Sequence, residues 1–172
     1  MKKIIVVLTV LGLLFVPIFA VQAQTNGETV YINLGFAPDP VYVSSSDYIV
    51  LRHGWGACTL GFVKLYLSAV HTEVTINGEL VSVADGKDPY WGEITKTPDA
   101  YWVPNCIAGN QNTASSVYWN YPLGTLTTGE YVVHFYYWLD HKIVDGGDLD
   151  GDDYLDFYEG TLNDRYFTII VE

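Results

Sequence analysis

Leu126-Thr127-Thr128-Gly129-Glu130-Tyr131-Val132-Val133-His134-Phe135-Tyr136-Tyr137-Trp138-Leu139-Asp140 is the stretch that decides the fold. Turn-forming residues end at Gly129. Aromatic and β-branched side chains follow, so the composition predicts the longest strand of the chain, Glu130 to Val144. Side chains alternate across a strand with a period of two. If Tyr131 points inward, so do Val133, Phe135, Tyr137 and Leu139. The opposite face then carries Val132, His134, Tyr136, Trp138 and Asp140.

The rest of the chain supplies partners for that strand. Thr29 to Leu34 reads as a first strand, broken by Pro38 and Pro40. Asp47 to Arg52 reads as a second, ended by His53-Gly54-Trp55-Gly56. From Thr59 to Val70 the rhythm changes: Phe62, Val63, Tyr66, Leu67 and Val70 fall on one helical face, with Thr59 as the N-cap. Glu73–Ile76 and Glu79–Val83 flank Asn77-Gly78, a strong hairpin signal. Residues 84–111 are turn-rich, with room for one or two short strands. Ser116–Tyr121 and Arg165–Val171 complete the set.

The segment Leu126 to Val133 resembles the turn before the penultimate strand of immunoglobulin-like domains. In that family a tyrosine past the turn packs inward and its hydroxyl bonds back across the corner. The resemblance implies that role for Tyr131. The fold expected is therefore all-β: an immunoglobulin-like β-sandwich of about seven strands, with one short helix inserted after the second strand.

The chain has 172 residues, and its first 23 read as a signal peptide. Lys2 and Lys3 form a basic start, Ile4 to Phe19 is almost wholly apolar, and Ala20-Val21-Gln22-Ala23 is a cleavage pattern. Residues 24–172 then form a single domain. The formal charge is −12, and loss of the two leader lysines takes it to −14. Such a surface repels nucleic acid and anionic membranes. Export to an oxidising compartment makes Cys58 and Cys106 a disulfide, since neither has zinc-ligand neighbours. The expected location is secreted or cell-surface, with no membrane association after signal removal.

The clearest chemistry lies between positions 145 and 160. Asp148-Leu149-Asp150-Gly151-Asp152-Asp153-Tyr154-Leu155-Asp156-Phe157-Tyr158-Glu159 resembles the twelve-residue calcium loop of EF-hand proteins. The resemblance assigns Asp148, Asp150, Asp152, Asp156 and Glu159 as carboxylate ligands and Tyr154 as a backbone-carbonyl ligand. Leu155 takes the inward apolar position. Calcium prefers six to eight hard oxygens, and acids alternating along a tight curl place them on one side. Asp153 stands where the family has glycine, and the flanks read as strands rather than helices. Glu159 is the least secure ligand, and Asp153 or Asp145 is a candidate to complete the set. The alternative is a solvated acidic loop. Together with Leu51-Arg52-His53-Gly54-Trp55-Gly56-Ala57 and Tyr90-Trp91-Gly92, the loop is similar to that of a group of secreted bacterial Ig-like β-sandwich proteins with an EF-hand-type calcium site. That resemblance implies an architecture and no activity.

Other sites are weaker. His53, His71, His134 and His141 lack paired metal-ligand spacing, and Gly-x-Ser-x-Gly is absent. Nothing in the spacing pairs Glu73, Glu79 or Glu93 as a glycosidase needs. Tyr136 and Trp138 form a candidate sugar-stacking platform, with Trp55, Trp91 and Trp102 as further aromatic candidates or core fillers. The expectation is a non-enzymatic, exported calcium-binding module with a structural or adhesion role. The alternative is a carbohydrate-binding module using Tyr136 and Trp138. The expected partners are calcium and, beyond it, a glycan or another surface protein.

Overall fold

A computed structural model describes residues 27–98, 106–108 and 113–172. The signal-peptide reading and Trp102 lie outside the described residues. Nine strands and one helix follow in chain order among those described: β1 (Thr29–Asn33), β2 (Val41–Val43), β3 (Tyr48–Ala57), α1 (Leu60–Ala69), β4 (Val70–Ile76), β5 (Glu79–Asp85), β6 (Thr95–Pro98), β7 (Thr113–Gly124), β8 (Gly129–Val144) and β9 (Phe157–Val171). They form a four-stranded sheet ordered β1-β3-β7-β6 and a five-stranded sheet ordered β2-β9-β8-β4-β5. This is the expected all-β sandwich with one short helix. Both sheets are mixed, because β1 runs parallel to β3 and β2 parallel to β9. That departs from the wholly antiparallel sheets of an immunoglobulin domain.

Three details correct the sequence reading. The short strand β2 lies between the first two expected strands, so the helix follows the third strand rather than the second. The strand count exceeds seven because β2 and β6, at three and four residues, are too short to show a period. Finally, β3 does not end at Arg52 but runs through His53-Gly54-Trp55-Gly56 to Ala57. Gly54 serves packing rather than a turn. A Cβ there would meet the Tyr118 ring at 2.5 Å and the Val117 carbonyl oxygen at 2.7 Å.

The inward face of β8 is as the alternation requires. Val133, Phe135 and Leu139 are buried, while Tyr131 and Tyr137 are partly buried against the core. Val133 and Phe135 share a cluster with Ile169 and Phe167 of β9 and with Ile49, Leu51 and Trp119 from the facing sheet, while Leu139 packs with Val63 and Tyr66 of the helical segment that follows β3. Each fully buried side chain of this kind contributes about 1.5–3 kcal/mol. The Tyr131 hydroxyl donates to the Thr127 carbonyl at 2.9 Å, the bond that the corner resemblance implies. At the β4–β5 turn, Asn77 and Gly78 both take positive φ, 53° and 82°, as a two-residue hairpin requires. Asn77 Oδ1 accepts the Val132 N–H at 2.8 Å and ties that turn to β8.

Helix α1 starts where Thr59 Oγ1 accepts the Phe62 N–H at 3.3 Å. It buries Val63, Tyr66 and Ala69, and the Tyr66 ring stacks on Trp55 at 4.7 Å. It gives way to β4 at Val70, the first β-branched residue of a strand-forming run. Between the sheets lies one buried polar pair. His53 Nε2 and Thr72 Oγ1 share a hydrogen bond of 3.1 Å inside a box of Trp91, Trp119, Phe135 and Tyr137 rings.

Candidate functional site

The loop joining β8 to β9 is fixed at its base by three segments far apart in sequence. The Cys58–Cys106 disulfide joins the end of β3 to residues 106–108. The Cys58 N–H donates to the Asp145 carbonyl at 2.7 Å, and the N–H groups of Ile107 and Ala108 donate to the Gly146 carbonyl at 3.1 and 3.2 Å. Gly146 has φ of +90°, and a Cβ there would lie 2.8 Å from Cys58, Phe62 and Ala108 atoms. Glycine is therefore the residue that lets the three segments close on one another.

Beyond that base the acids divide into two kinds. Asp145 is buried. Its Oδ1 accepts the Gly147 N–H at 2.8 Å and its Oδ2 accepts the Tyr158 hydroxyl at 3.0 Å. Burial pushes its carboxyl up from the ordinary value, against the pull of those donors. Asp145 is a structural member of the base. Burial and the Asp145 charge beside it push the Tyr158 phenol up as well.

Asp148, Asp150 and Asp152 are the second kind. One carboxylate oxygen from each lies within 4.8 Å of the others. Asp148 is buried and shapes the curl: Oδ1 accepts the N–H groups of Gly151 at 2.7 Å and Asp152 at 3.2 Å, and Oδ2 accepts that of Asp153 at 3.0 Å. Burial works to raise its carboxyl, but the three N–H donors prevail and hold it below the ordinary value. For Asp150 the balance reverses. The Asp152 N–H lowers it, but the Asp152 charge, desolvation, the Asp148 carboxylate and the Asp156 charge all raise it, and the net shift is upward. Asp153 takes φ of +66°, the left-handed turn that glycine usually supplies at this position.

Among the described residues, the carboxylates of Asp156 and Glu159 are not in that converging group. Asp156 Oδ2 accepts the Leu149 N–H and closes the loop across its neck. Tyr154 is exposed, and its N–H donates to Asp152 Oδ1 at 2.9 Å. Leu155 is half-buried, and Glu159 lies exposed on β9. The donor set of the three converging acids is hard oxygen carrying three negative charges, which fits calcium and not a soft metal.

The outward face of β8 carries a second constellation. Tyr166, His134, Tyr136, Trp138 and His71 form a row across β9, β8 and β4, with neighbouring ring planes 6° to 26° apart. Three of the four contacts have centroids 4.2 to 5.2 Å apart, so these rings cover one another's faces. Tyr136 and Trp138 stack on each other, with centroids 4.9 Å apart and ring planes 24° apart. Trp55 and Trp91 are packing elements: Trp55 stacks on Tyr66, and Trp91 lies edge-on to His53 and Tyr66.

The register also unites histidines that sequence spacing left apart. His71 Nε2 and Asp140 Oδ2 are 3.0 Å apart, and His141 Nδ1 bonds the other oxygen of Asp140. His71 reaches Asp140 only because β4 pairs with β8, and no local spacing signals that. The hydrogen bonds from His71, then His141, hold the Asp140 carboxyl below its ordinary value.

No family model matches the chain, and no curated protein matches it. Among solved structures, the chain is similar to a cysteine protease inhibitor from Entamoeba histolytica. The identity is 7% and the TM-score 0.33, over 84% of this chain and 96% of that one. A likeness at that level carries no functional argument. The disulfide points to an oxidising, extracytoplasmic environment. Among the described residues, no helix is long and apolar enough to cross a membrane.

Proposed function

We propose that this protein is an exported, non-enzymatic β-sandwich module that binds calcium in its β8–β9 loop, with a structural or adhesion role outside the cell. One observation carries the reading: the carboxylates of Asp148, Asp150 and Asp152 converge within 4.8 Å on a loop whose backbone is already curled around Asp148. Three like charges that close repel one another, and a dication removes the repulsion. The ion fixes the long connection between the last two strands, and its affinity falls in the range of about 0.1–1 mM typical of extracellular modules.

The test is a thermal melt of the full chain in calcium and in chelator. A ligand that binds only the native state at a hundredfold excess over Kd stabilises it by about 2.7 kcal/mol. The Asp150→Ala, Asp152→Ala variant melts normally in chelator and loses the calcium response. A melt of the unaltered protein that is indifferent to calcium refutes the reading.

A further inference from the structure

The edge of β3 that faces β1 is covered at both ends and open between them. A strand residue turns its N–H and C=O to the same side, and successive residues alternate sides. On β7, the Tyr118 carbonyl accepts the Gly92 N–H and the Asn120 N–H donates to the Tyr90 carbonyl, so both residues bond away from β3. Their register partners, Gly54 and Arg52, therefore turn their backbone groups away from β7 and toward β1. The Arg52 carbonyl accepts the Leu34 N–H at 2.7 Å, and at that point β1 has ended. Cys58, on the same side one residue past β3, donates to the Asp145 carbonyl at 2.7 Å. Gly54 and Gly56 lie between these two bonds, and no described residue pairs with the N–H or C=O of either.

We propose that this gap takes a short extended segment of a partner protein, which adds to β3 in line with β1 and pairs with Gly54 and Gly56. The proposal goes beyond the calcium reading: the gap lies outside the Asp148, Asp150 and Asp152 group, and its test does not depend on calcium.

The occupant follows from the groups on offer. Two N–H donors and two C=O acceptors alternate along one edge, and a peptide backbone supplies acceptors and donors in the same alternation. The edge already takes a strand, since β1 pairs with Tyr48 to Arg52 in parallel. From Arg52 to Cys58 the strand rises about 20 Å, room for a segment of about five residues.

The surroundings suit an added strand as well. Proteins commonly guard an open edge with charge, proline or a bulge. Gly54-Trp55-Gly56 carries neither charge nor proline, and the irregularity in the β3–β7 register lies away from it, at Ile49 and Val50. A slot runs across β3 here, from Ser116 and Tyr118 of β7 over the two glycines to Asn33 and Phe36 beyond the end of β1. Phe36 is 79% exposed at the rim of that slot. An incoming strand sets alternate side chains over the glycines, where β3 has none, and covers the Phe36 ring.

The experiment uses the full chain and a labelled peptide of alternating threonine and valine, about six residues long, read by anisotropy. Two further peptides carry N-methyl groups on every valine or on every threonine. The gap meets one edge of the peptide, so one methylation pattern weakens binding about tenfold or more and the other leaves it unchanged. On binding, amide exchange slows at Gly54 and Gly56. Phe36→Ser weakens binding about tenfold, with an unchanged far-ultraviolet spectrum confirming the fold. Equal effects of the two methylation patterns overturn the proposal in favour of general attraction to an apolar patch. A bound peptide that leaves exchange at Gly54 and Gly56 unchanged overturns it too, as does failure of the unmethylated peptide to bind at about 1 mM. A dimer of the chain that protects those two amides without peptide identifies a second copy as the occupant, and overturns it as well.

Discussion

His53 makes acid stability a quantitative test of the sandwich. It is buried between the sheets, with Nε2 bonded to Thr72 and Nδ1 without a hydrogen-bond partner among the described residues. Burial lowers its pKa from 6.5 to about 3. The folded chain therefore keeps a neutral imidazole at pH values where the unfolded chain has taken up a proton. Below pH 6.5 the unfolded state binds more protons, so stability falls as pH falls, until the folded state titrates near 3.

For this one group the loss is about 2 kcal/mol between pH 7.5 and 5, approaching about 5 kcal/mol near pH 3. The assay is urea unfolding at pH 7.5 and pH 5 of the wild type and of a His53→Leu, Thr72→Val variant. The second substitution prevents an orphaned hydroxyl. Carboxylates titrate in both proteins and cancel in the difference. The wild type should lose about 2 kcal/mol more than the variant. If the variant does not fold, the His53 ring resonances of the wild type serve instead, and they should stay fixed from pH 8 to 5. An equal loss in the two proteins, or a His53 resonance titrating near 6.5, refutes the burial argument.

Two further outcomes follow from the base of the β8–β9 loop. Replacing Cys58 and Cys106 by serine releases a loop of sequence separation 48, worth about 4 kcal/mol in the chain-entropy model, measurable by urea unfolding. The same variant should bind calcium more weakly by titration calorimetry, because the Asp145 carbonyl loses a fixed donor at Cys58. Gly146→Ala puts a Cβ into three contacts of 2.8 Å at a φ of +90°, and should cost about 1–3 kcal/mol, whereas Gly151→Ala, with φ of +78° but open space around it, pays the backbone strain alone. Thermal melts of the two variants should rank in that order.

The long β8 strand was legible because one face is buried and the other is not, so its alternation survives in the residues themselves. The Asn77-Gly78 hairpin was legible because a two-residue turn requires positive φ at both positions. Helix α1 was legible from a single apolar stripe and its threonine cap. What sequence could not supply is whatever depends on which strand lies beside which. Gly54 and Gly56 read as a stop signal because the reason for Gly54, the Tyr118 ring from β7, is 64 residues away. The parallel pairings of β1 and β2 leave no trace in their own residues. In the acidic loop, three of the expected ligands come together because Asp148 is a local organiser, with donors three to five residues on. Glu159 belongs to the strand that follows, at an irregularity in the β8–β9 register.

The same bonds decide what the proposed calcium ion would have left to do. The loop's base is closed by the disulfide, the Asp145 carbonyl and the Gly146 contacts, and its curl is held by three N–H donors to Asp148. None of these needs a cation. A small zinc domain, by contrast, takes its folding energy from the metal and unfolds without it. Here the uncompensated part is the repulsion between Asp150 and its neighbours, whose carboxylate oxygens lie within 4.8 Å of one another. Chelation should therefore leave the sandwich folded and loosen only residues 148–156. Amide exchange should rise within that loop, while Phe135 and Val133 of β8 keep their protection. A collapse of protection throughout β8 on chelation would show that the ion holds the sheet itself, and that the hydrogen bonds at the base do not suffice.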